Sequence, residues 1–151
     1  MELTEPANNL PEDHARRVRE MFARISPRYD LLNHLLSGNI DRRWRRRVVR
    51  KLAPLLPQNS KVLDVACGTG DLSIEFFEAS KAKVIGLDFC RPMLELAKAK
   101  TRDGQFIEGD ALRLPFADGT FDAVTIGFGL RNLSSVEDGL RELRRILKPN
   151  G

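Results

Sequence analysis

Hydrophobic positions recur with two different periods along the chain, and the change falls near Pro57. Before it, Val18, Met21, Phe22 and Ile25 repeat at spacings of three and four, which predicts an amphipathic helix over residues 13–25 ended by Ser26 and Pro27. A second helix is predicted over residues 41–55, packing through Trp44, Val48 and Leu52 with arginines on its other sides. Residues 1–11 are polar and turn-prone and read as a loose arm.

After Pro57, short apolar runs alternate with helical patterns over residues 61–66, 71–80, 83–88 and 91–100, the alternation expected of a parallel sheet with crossover helices. Residues 105–108 read as a third strand and 121–127 as a fourth, separated by a loop with Pro115 and an Asp118-Gly119 turn. The last helix is expected to start at a Ser134-x-x-Glu137 capping box, to bury Val136, Leu140, Leu143 and Leu147, and to stop before Pro149. Right-handed crossovers through the first three strands, then a return to the far side of the first, predict the order 3-2-1-4 with strand four as an edge. An apolar edge of that kind is a liability, and the Asn150-Gly151 turn should deliver another strand. The expectation is therefore a truncated chain, or an edge covered by another chain. Residues 1–57 read as an arm and helical cap, and 58–151 as the first part of a sheet domain whose later strands are absent.

Composition narrows the class. With 151 residues, 42% apolar and 30% charged, the chain is too hydrophobic for disorder and has no run long enough to span a bilayer. Two cysteines, Cys67 and Cys90, make no disulfide framework and no metal-spaced cluster, so a reducing, cytoplasmic setting without a metal site is expected. Net charge is +4, concentrated in residues 41–51, where seven basic residues face one acid. Such a run can face nucleic acid, anionic lipid or water.

The chemistry gathers where the first strand enters a glycine turn, Asp64-Val65-Ala66-Cys67-Gly68-Thr69-Gly70. Gly68 and Gly70 let the backbone turn tightly and approach a ligand, while the following helix points its free N–H groups at the same place. A third glycine of the dinucleotide fingerprint would fall at Ser73, and its absence weighs against a pyrophosphate ligand. Asp88 ends the second strand and Asp110-Ala111 follows the third, both on one sheet edge. A carboxylate at Asp88 can accept from both hydroxyls of a ribose, and Asp110 from an exocyclic amine, so an adenosine-shaped ligand fits. Asp64 either holds the loop or accepts from an ammonium group, the second through water. Cys67 and Cys90 read as packing residues, and His14 and His34 as structural ones.

These segments, VLDVACGTG, VIGLDF and GDA, resemble the class I S-adenosylmethionine-dependent methyltransferases, whose Rossmann-like α/β sheet carries an N-terminal helical cap. That resemblance implies S-adenosyl-L-methionine as cofactor, with Asp88 on the ribose beside Phe89, Asp110 and Ala111 on the adenine, and Gly68, Thr69 and Gly70 along the methionyl part. The segment from Tyr29 to Trp44, together with LPF at 114–116, FGLRN at 128–132 and RILKP at 145–149, is similar to the ubiquinone and menaquinone biosynthesis C-methyltransferases. By that likeness the reaction is methylation of a ring carbon on a prenylated hydroquinone. Arg131 and Asn132 would then stabilise a phenolate and orient a ring oxygen, the competing reading being that Arg131 pairs with the loop after strand three. Tyr29 is either a lid hydroxyl facing the quinol or an anchor for the first helix.

Three positions depart from that family: Asp41 where histidine is usual, Asn150 for a second glycine, and Gly127 for a small hydroxyl residue near the cofactor. The resemblance further implies a prenylated quinol partner, peripheral contact of the basic Trp44 helix with anionic membrane, a homo-oligomer or association with other biosynthetic enzymes, and no nucleic acid. An RNA methyltransferase, another small-molecule methyltransferase and an inactive truncated fragment are the competing readings; against the first, no D/N-P-P-Y/F motif stands at residues 127–132.

Overall fold

The computed structural model describes residues 11–28 and 40–151. Helix α1 (Pro11–Ile25) begins at a proline, which a first turn accepts because its N–H has no intrahelical partner there. A 3-10 turn, Ser26–Arg28, follows it. Helix α2 (Ile40–Leu52) ends before Pro54, and Ala53–Leu55 continues as a 3-10 turn, so the single helix expected to Leu55 is shorter.

The sheet is built from β1 (Lys61–Val65), β2 (Lys83–Asp88), β3 (Gln105–Glu108) and β4 (Ala123–Ile126). Its order is β3-β2-β1-β4 and all three pairings are parallel, as the crossover rule requires. Helices α3 (Asp71–Ala79), α4 (Arg91–Lys100) and α5 (Val136–Ile146) complete the chain, with a 3-10 turn at Leu130–Asn132. In register, Val65 stands opposite Leu87 and Ile126, and Asp88 opposite Glu108, so the C-terminal ends of the strands finish at one edge.

Alternation along β1 divides the core between the two sheet faces. Leu63 and Val65 pack with Leu87, Leu114, Phe121, Leu143 and Ile146, whereas Val62 packs with Val49, Leu72, Phe76 and Val84. Each such fully buried side chain contributes about 2 kcal/mol of burial. Strand β4 is half-buried along its length and is shorter than residues 121–127. Phe121, fully buried, instead bridges Leu147 and meets Phe116 edge-on at 4.8 Å.

Two helix faces differ from expectation. On α2 the buried positions are Arg45 and Val49; of the expected stripe, Val48 is half-buried against the core as predicted, while Trp44 is 39% and Leu52 37% exposed. The packing face is turned by one position because α3 presents Asp71 and Glu75 to it, and the Arg45 guanidinium meets Asp71 at 3.1 Å and its own helix's Asp41 at 2.9 Å. On α5 the N-cap is Ser135, whose hydroxyl accepts the Asp138 N–H at 3.2 Å, one residue beyond the predicted capping box. Gly139, Leu143 and Ile146 are its buried positions, whereas Val136 and Leu140 are exposed and Leu147 half-buried.

Helix α5 is held to the loop after β3 by Arg145. Its guanidinium donates to the carbonyls of Leu114 and Phe116 at 3.1 and 2.8 Å and to the carboxylates of Glu142 and Asp118 at 2.8 Å. Glu142 also accepts the Leu114 N–H at 2.8 Å. The Arg145 hydrogen bonds hold the Glu142 carboxyl down at about 2.

Candidate functional site

The turn leaving β1 is the most strained stretch of described backbone. Ala66, Gly68 and Gly70 all have positive φ, at 52°, 56° and 78°, and the Gly70 N–H closes the turn on the Cys67 carbonyl at 2.9 Å. The two glycines serve differently. A Cβ on Gly70 would stand 2.7 Å from the Phe106 ring and 2.9 Å from Ala97, so packing excludes any side chain there. A Cβ on Gly68 would meet nothing within 4 Å; its backbone faces open space. Ala66 carries its strain against Gly129, where an added Cβ would lie 2.2 Å from the Ala66 Cβ. This close approach brings the loops after β1 and β4 together, and no periodicity signals it.

Asp88 lies at the end of β2 and is 5% exposed. It ties the turn to its own strand end: Oδ2 accepts the Gly68 N–H at 2.8 Å and Oδ1 the Cys90 N–H at 2.9 Å. Burial pushes its pKa up, and the backbone N–H groups of Cys90, Gly68 and Phe89 oppose that shift. Asp64, 1% exposed, accepts from the Ser73 hydroxyl at 2.6 Å and the Thr125 hydroxyl at 2.9 Å. Burial raises its pKa to about 6, against the pull of those two hydroxyls. Burial likewise lifts the Cys67 thiol well above its usual range, with Asp64 and Asp88 adding to the shift, so Cys67 is an inert packing group.

These residues border a cavity of about 460 Å³ at the C-terminal edge of the sheet. Asp64, Gly68, Thr69, Asp88, Phe89, Asp110, Ala111, Gly127, Arg131 and Asn132 all line it, so ten of the twelve candidate positions border the cavity; of the other two, Gly70 shapes the turn from behind and Tyr29 is not among the described residues. Asp110 sits in an exposed turn with Oδ1 accepting the Leu112 N–H at 2.9 Å, while Ala111 is 7% exposed against the core. Thr69 is buried and accepts from Lys100 Nζ at 3.0 Å, and the same ammonium reaches Asp71 at 2.7 Å. At Gly127 the nearest atom to an added Cβ is Leu72 Cδ2 at 4.0 Å, so a small side chain would fit there. Among the described residues Arg131 makes no hydrogen bond or ion pair, which removes the expected alternative of a pairing with the loop after β3. Tyr29 and His34 lie outside the described residues, as does the side chain of His14.

The pattern missed several cavity residues, among them Arg45, Phe22, Trp44 and Phe128. Arg45 adds a buried guanidinium to a site expected to be lined by acids, although Asp41 and Asp71 neutralise it. Phe22 and Trp44 line the cavity as well. Only the Asp41–Arg45 spacing of four was visible beforehand; the contact to Asp71 depends on how two helices meet.

Residues 11–151 match the model of the ubiE/COQ5 methyltransferase family. A demethylmenaquinone methyltransferase from Deinococcus radiodurans is 48% identical over 145 residues, covering 93% of this chain and 59% of that protein. One from Thermus thermophilus is 51% identical, covering 87% and 61% respectively. The chain thus spans about three-fifths of the length of these relatives. Among solved structures, the methyltransferase in a Haloferax volcanii complex with the Trm112 activator is 26% identical and superposes with a TM-score of 0.70, over 86% of this chain and 57% of that one. A putative S-adenosyl-L-methionine-dependent methyltransferase from Methanococcus maripaludis, 20% identical, covers the whole chain and 65% of its own with a TM-score of 0.68, a likeness of fold. A parallel 3-2-1-4 sheet, a glycine turn tied to the acid ending β2, and a sequence match across nearly the full length make this chain a member of the ubiE/COQ5 methyltransferase family.

Proposed function

We propose that the chain forms the cofactor-binding part of an enzyme that methylates a ring carbon of a prenylated hydroquinone with S-adenosylmethionine. The observation that carries this reading is the convergence of Asp64, Asp88 and Asp110, from the ends of three neighbouring strands, on one cavity beside the glycine turn. The residues present fit the cofactor. Gly68 leaves open space where a side chain would intrude, and carboxylates outnumber guanidinium groups around the cavity, which favours a cationic ligand.

On this reading Asp88 takes the ribose hydroxyls with the lone pairs its backbone partners leave available, and its N–H bonds orient it for that task. Asp110 accepts from the adenine amine, with Phe89 and Ala111 beside the ring. Thr69 and the turn line the methionyl part, and Asp64 holds the turn through Ser73 and Thr125. When bound, the cofactor's sulfonium supplies the methyl group. Arg131 and Asn132, at the turn after β4, stabilise the phenolate whose electrons make the ring carbon nucleophilic. Loss of the ring proton then restores aromaticity. The names of the Deinococcus and Thermus relatives support a naphthoquinol nucleus. A prenyl chain lives in a bilayer, so the Trp44 end of the cavity is where the substrate tail is expected to leave.

Calorimetric titration with S-adenosylmethionine tests the cofactor assignment. Saturable binding is expected, with NAD inert and with affinity for the folded Asp88→Ala variant lowered at least about 100-fold, the loss of two charge-assisted hydrogen bonds. Equal binding by variant and parent would overturn the assignment of Asp88.

A further inference from the structure

Lys100, in the last turn of α4, does not line the cavity and yet reaches the turn that frames it. Its ammonium donates to Thr69 Oγ1 at 3.0 Å and to Asp71 Oδ1 at 2.7 Å, crossing from the end of one crossover helix to the start of another. A lysine closing a helix is ordinarily explained by the negative end of the helix dipole. Lys98, exposed in the same last turn, fits that account and meets no carboxylate among the described residues. Lys100 does not fit it, because Thr69 is 3% exposed and Asp71 heads α3, and both belong to the cavity wall.

The two contacts shape what the wall offers a ligand. An ammonium has donors only, so Thr69 Oγ1 accepts at this contact and its hydroxyl hydrogen is turned away from Lys100. Asp71 is shared between two cations: Oδ1 faces Lys100, while Oδ2 stands 3.1 Å from Arg45 Nη2, and Arg45 is itself anchored on Asp41 at 2.9 Å. With a cation on each oxygen, the Asp71 carboxylate cannot swing toward the cavity without losing an ion pair. An anionic group arriving beside Thr69 would otherwise meet the Asp71 charge across a partly desolvated wall, where repulsion is weakly screened. The first N–H groups of α3 have no intrahelical acceptor and add positive potential at the same corner.

The sulfonium of the proposed cofactor suits the acids at the strand ends, but its amino-acid tail ends in a carboxylate, which needs surroundings of the opposite sign. We propose that Lys100 is a positioning residue of the cofactor site: it fixes the Thr69 hydroxyl for the tail carboxylate and, with Arg45, holds the Asp71 charge away from that carboxylate. The inference rests on the cofactor reading above and gives a role in it to a residue that touches no ligand.

Two thioethers separate this role from a structural one: S-adenosylhomocysteine, which keeps the amino-acid tail, and 5′-methylthioadenosine, which has a methyl group in its place. The full chain and its K100M variant are titrated calorimetrically with both. The Lys100 side chain is 30% exposed, so its replacement leaves the core intact, and methylthioadenosine binding itself reports that the variant is folded. K100M is expected to lower affinity for S-adenosylhomocysteine about 10-fold, the scale of one hydrogen bond to a charged group, and to leave affinity for methylthioadenosine unchanged. On a T69V background, which removes the hydroxyl and keeps the outline of the side chain, the same substitution is expected to cost less than about 3-fold. Equal losses for both ligands would make Lys100 a structural prop and overturn the proposal. So would no loss for either ligand, or an undiminished loss on the T69V background. A folded parent that bound neither thioether would overturn the cofactor reading itself, and the inference with it.

Discussion

The carboxylates at the strand ends and those of the α5 clamp are the same chemical groups put to opposite use. Asp64 and Asp88 are buried beside open space, and burial raises the pKa of both. Glu142 and Asp122 lie nearer the surface against Arg145 and Lys148, and those partners lower their pKa values. In the clamp every acid meets a base and the arrangement is locally satisfied. At the strand ends the acids hold only hydroxyls and backbone N–H groups, which leaves their charge available to a cation. Glycines follow the same division. Gly129 is pressed against Ala66 at the cavity, whereas Gly119 in the clamp loop has nothing within 4 Å of an added Cβ.

That contrast can be broken most sharply at Gly129. Gly129→Ala should destabilise by about 3 kcal/mol, because neither strained Ala66 nor its backbone can move aside. A change below about 1 kcal/mol in urea denaturation would mean that the two loops are not close-packed. Asp64 comes next. Its folded pKa of about 6 stands above its unfolded value of 3.8, so the native state holds the proton more tightly. Stability from this group is fully present below about pH 4 and is lost as pH rises through 6, by up to about 3 kcal/mol. Asp64→Asn should remove that slope, so the variant gains on the parent between pH 4 and 7; a difference independent of pH would contradict a buried, desolvated carboxyl.

Glu142 should show the opposite sign. Its pKa is lowered to about 2 from 4.5, so its contribution is present above 4.5 and disappears as pH falls through 2. Glu142→Gln is expected to cost about 1 kcal/mol at pH 7, a value set by its partly solvated position, and only a small fraction of that at pH 2. Chemical denaturation at the two pH values checks this. Gly119→Ala should have a similar or smaller effect, about 1 kcal/mol, from its φ of 62° alone. A loss near that of Gly129→Ala would erase the distinction between the regions.

The strand order and the strand-end acids were legible because both depend on local pattern. Apolar runs alternating with helices admit one crossover hand, and an acid that ends a strand reaches the ligand edge whatever surrounds it. Helix faces were less legible. Trp44, Val48 and Leu52 are more hydrophobic than Arg45, so composition favoured them as the packing stripe; Val48 does pack against the core, whereas Trp44 and Leu52 are exposed and Arg45 is buried against Asp71 and Glu75 on α3. Ser134 and Ser135 have equal capping chemistry, and the loop leading into α5 selected the second. The Arg145 clamp joins residues some thirty apart and has no short-range signature.

By itself, the sequence determined a parallel four-stranded sheet with a glycine turn and acids at its C-terminal edge. Those features follow from periodicity, glycine's access to positive φ and the handedness of crossovers, all properties of a few consecutive residues. Tertiary structure alone decided that Asp64 lies buried with two hydroxyls, that Ala66 and Gly129 touch, and that Arg45 turns inward while Trp44 turns out beside Phe128. Burial, close approach and charge pairing belong to pairs of segments, and no single segment contains the information that brings them together.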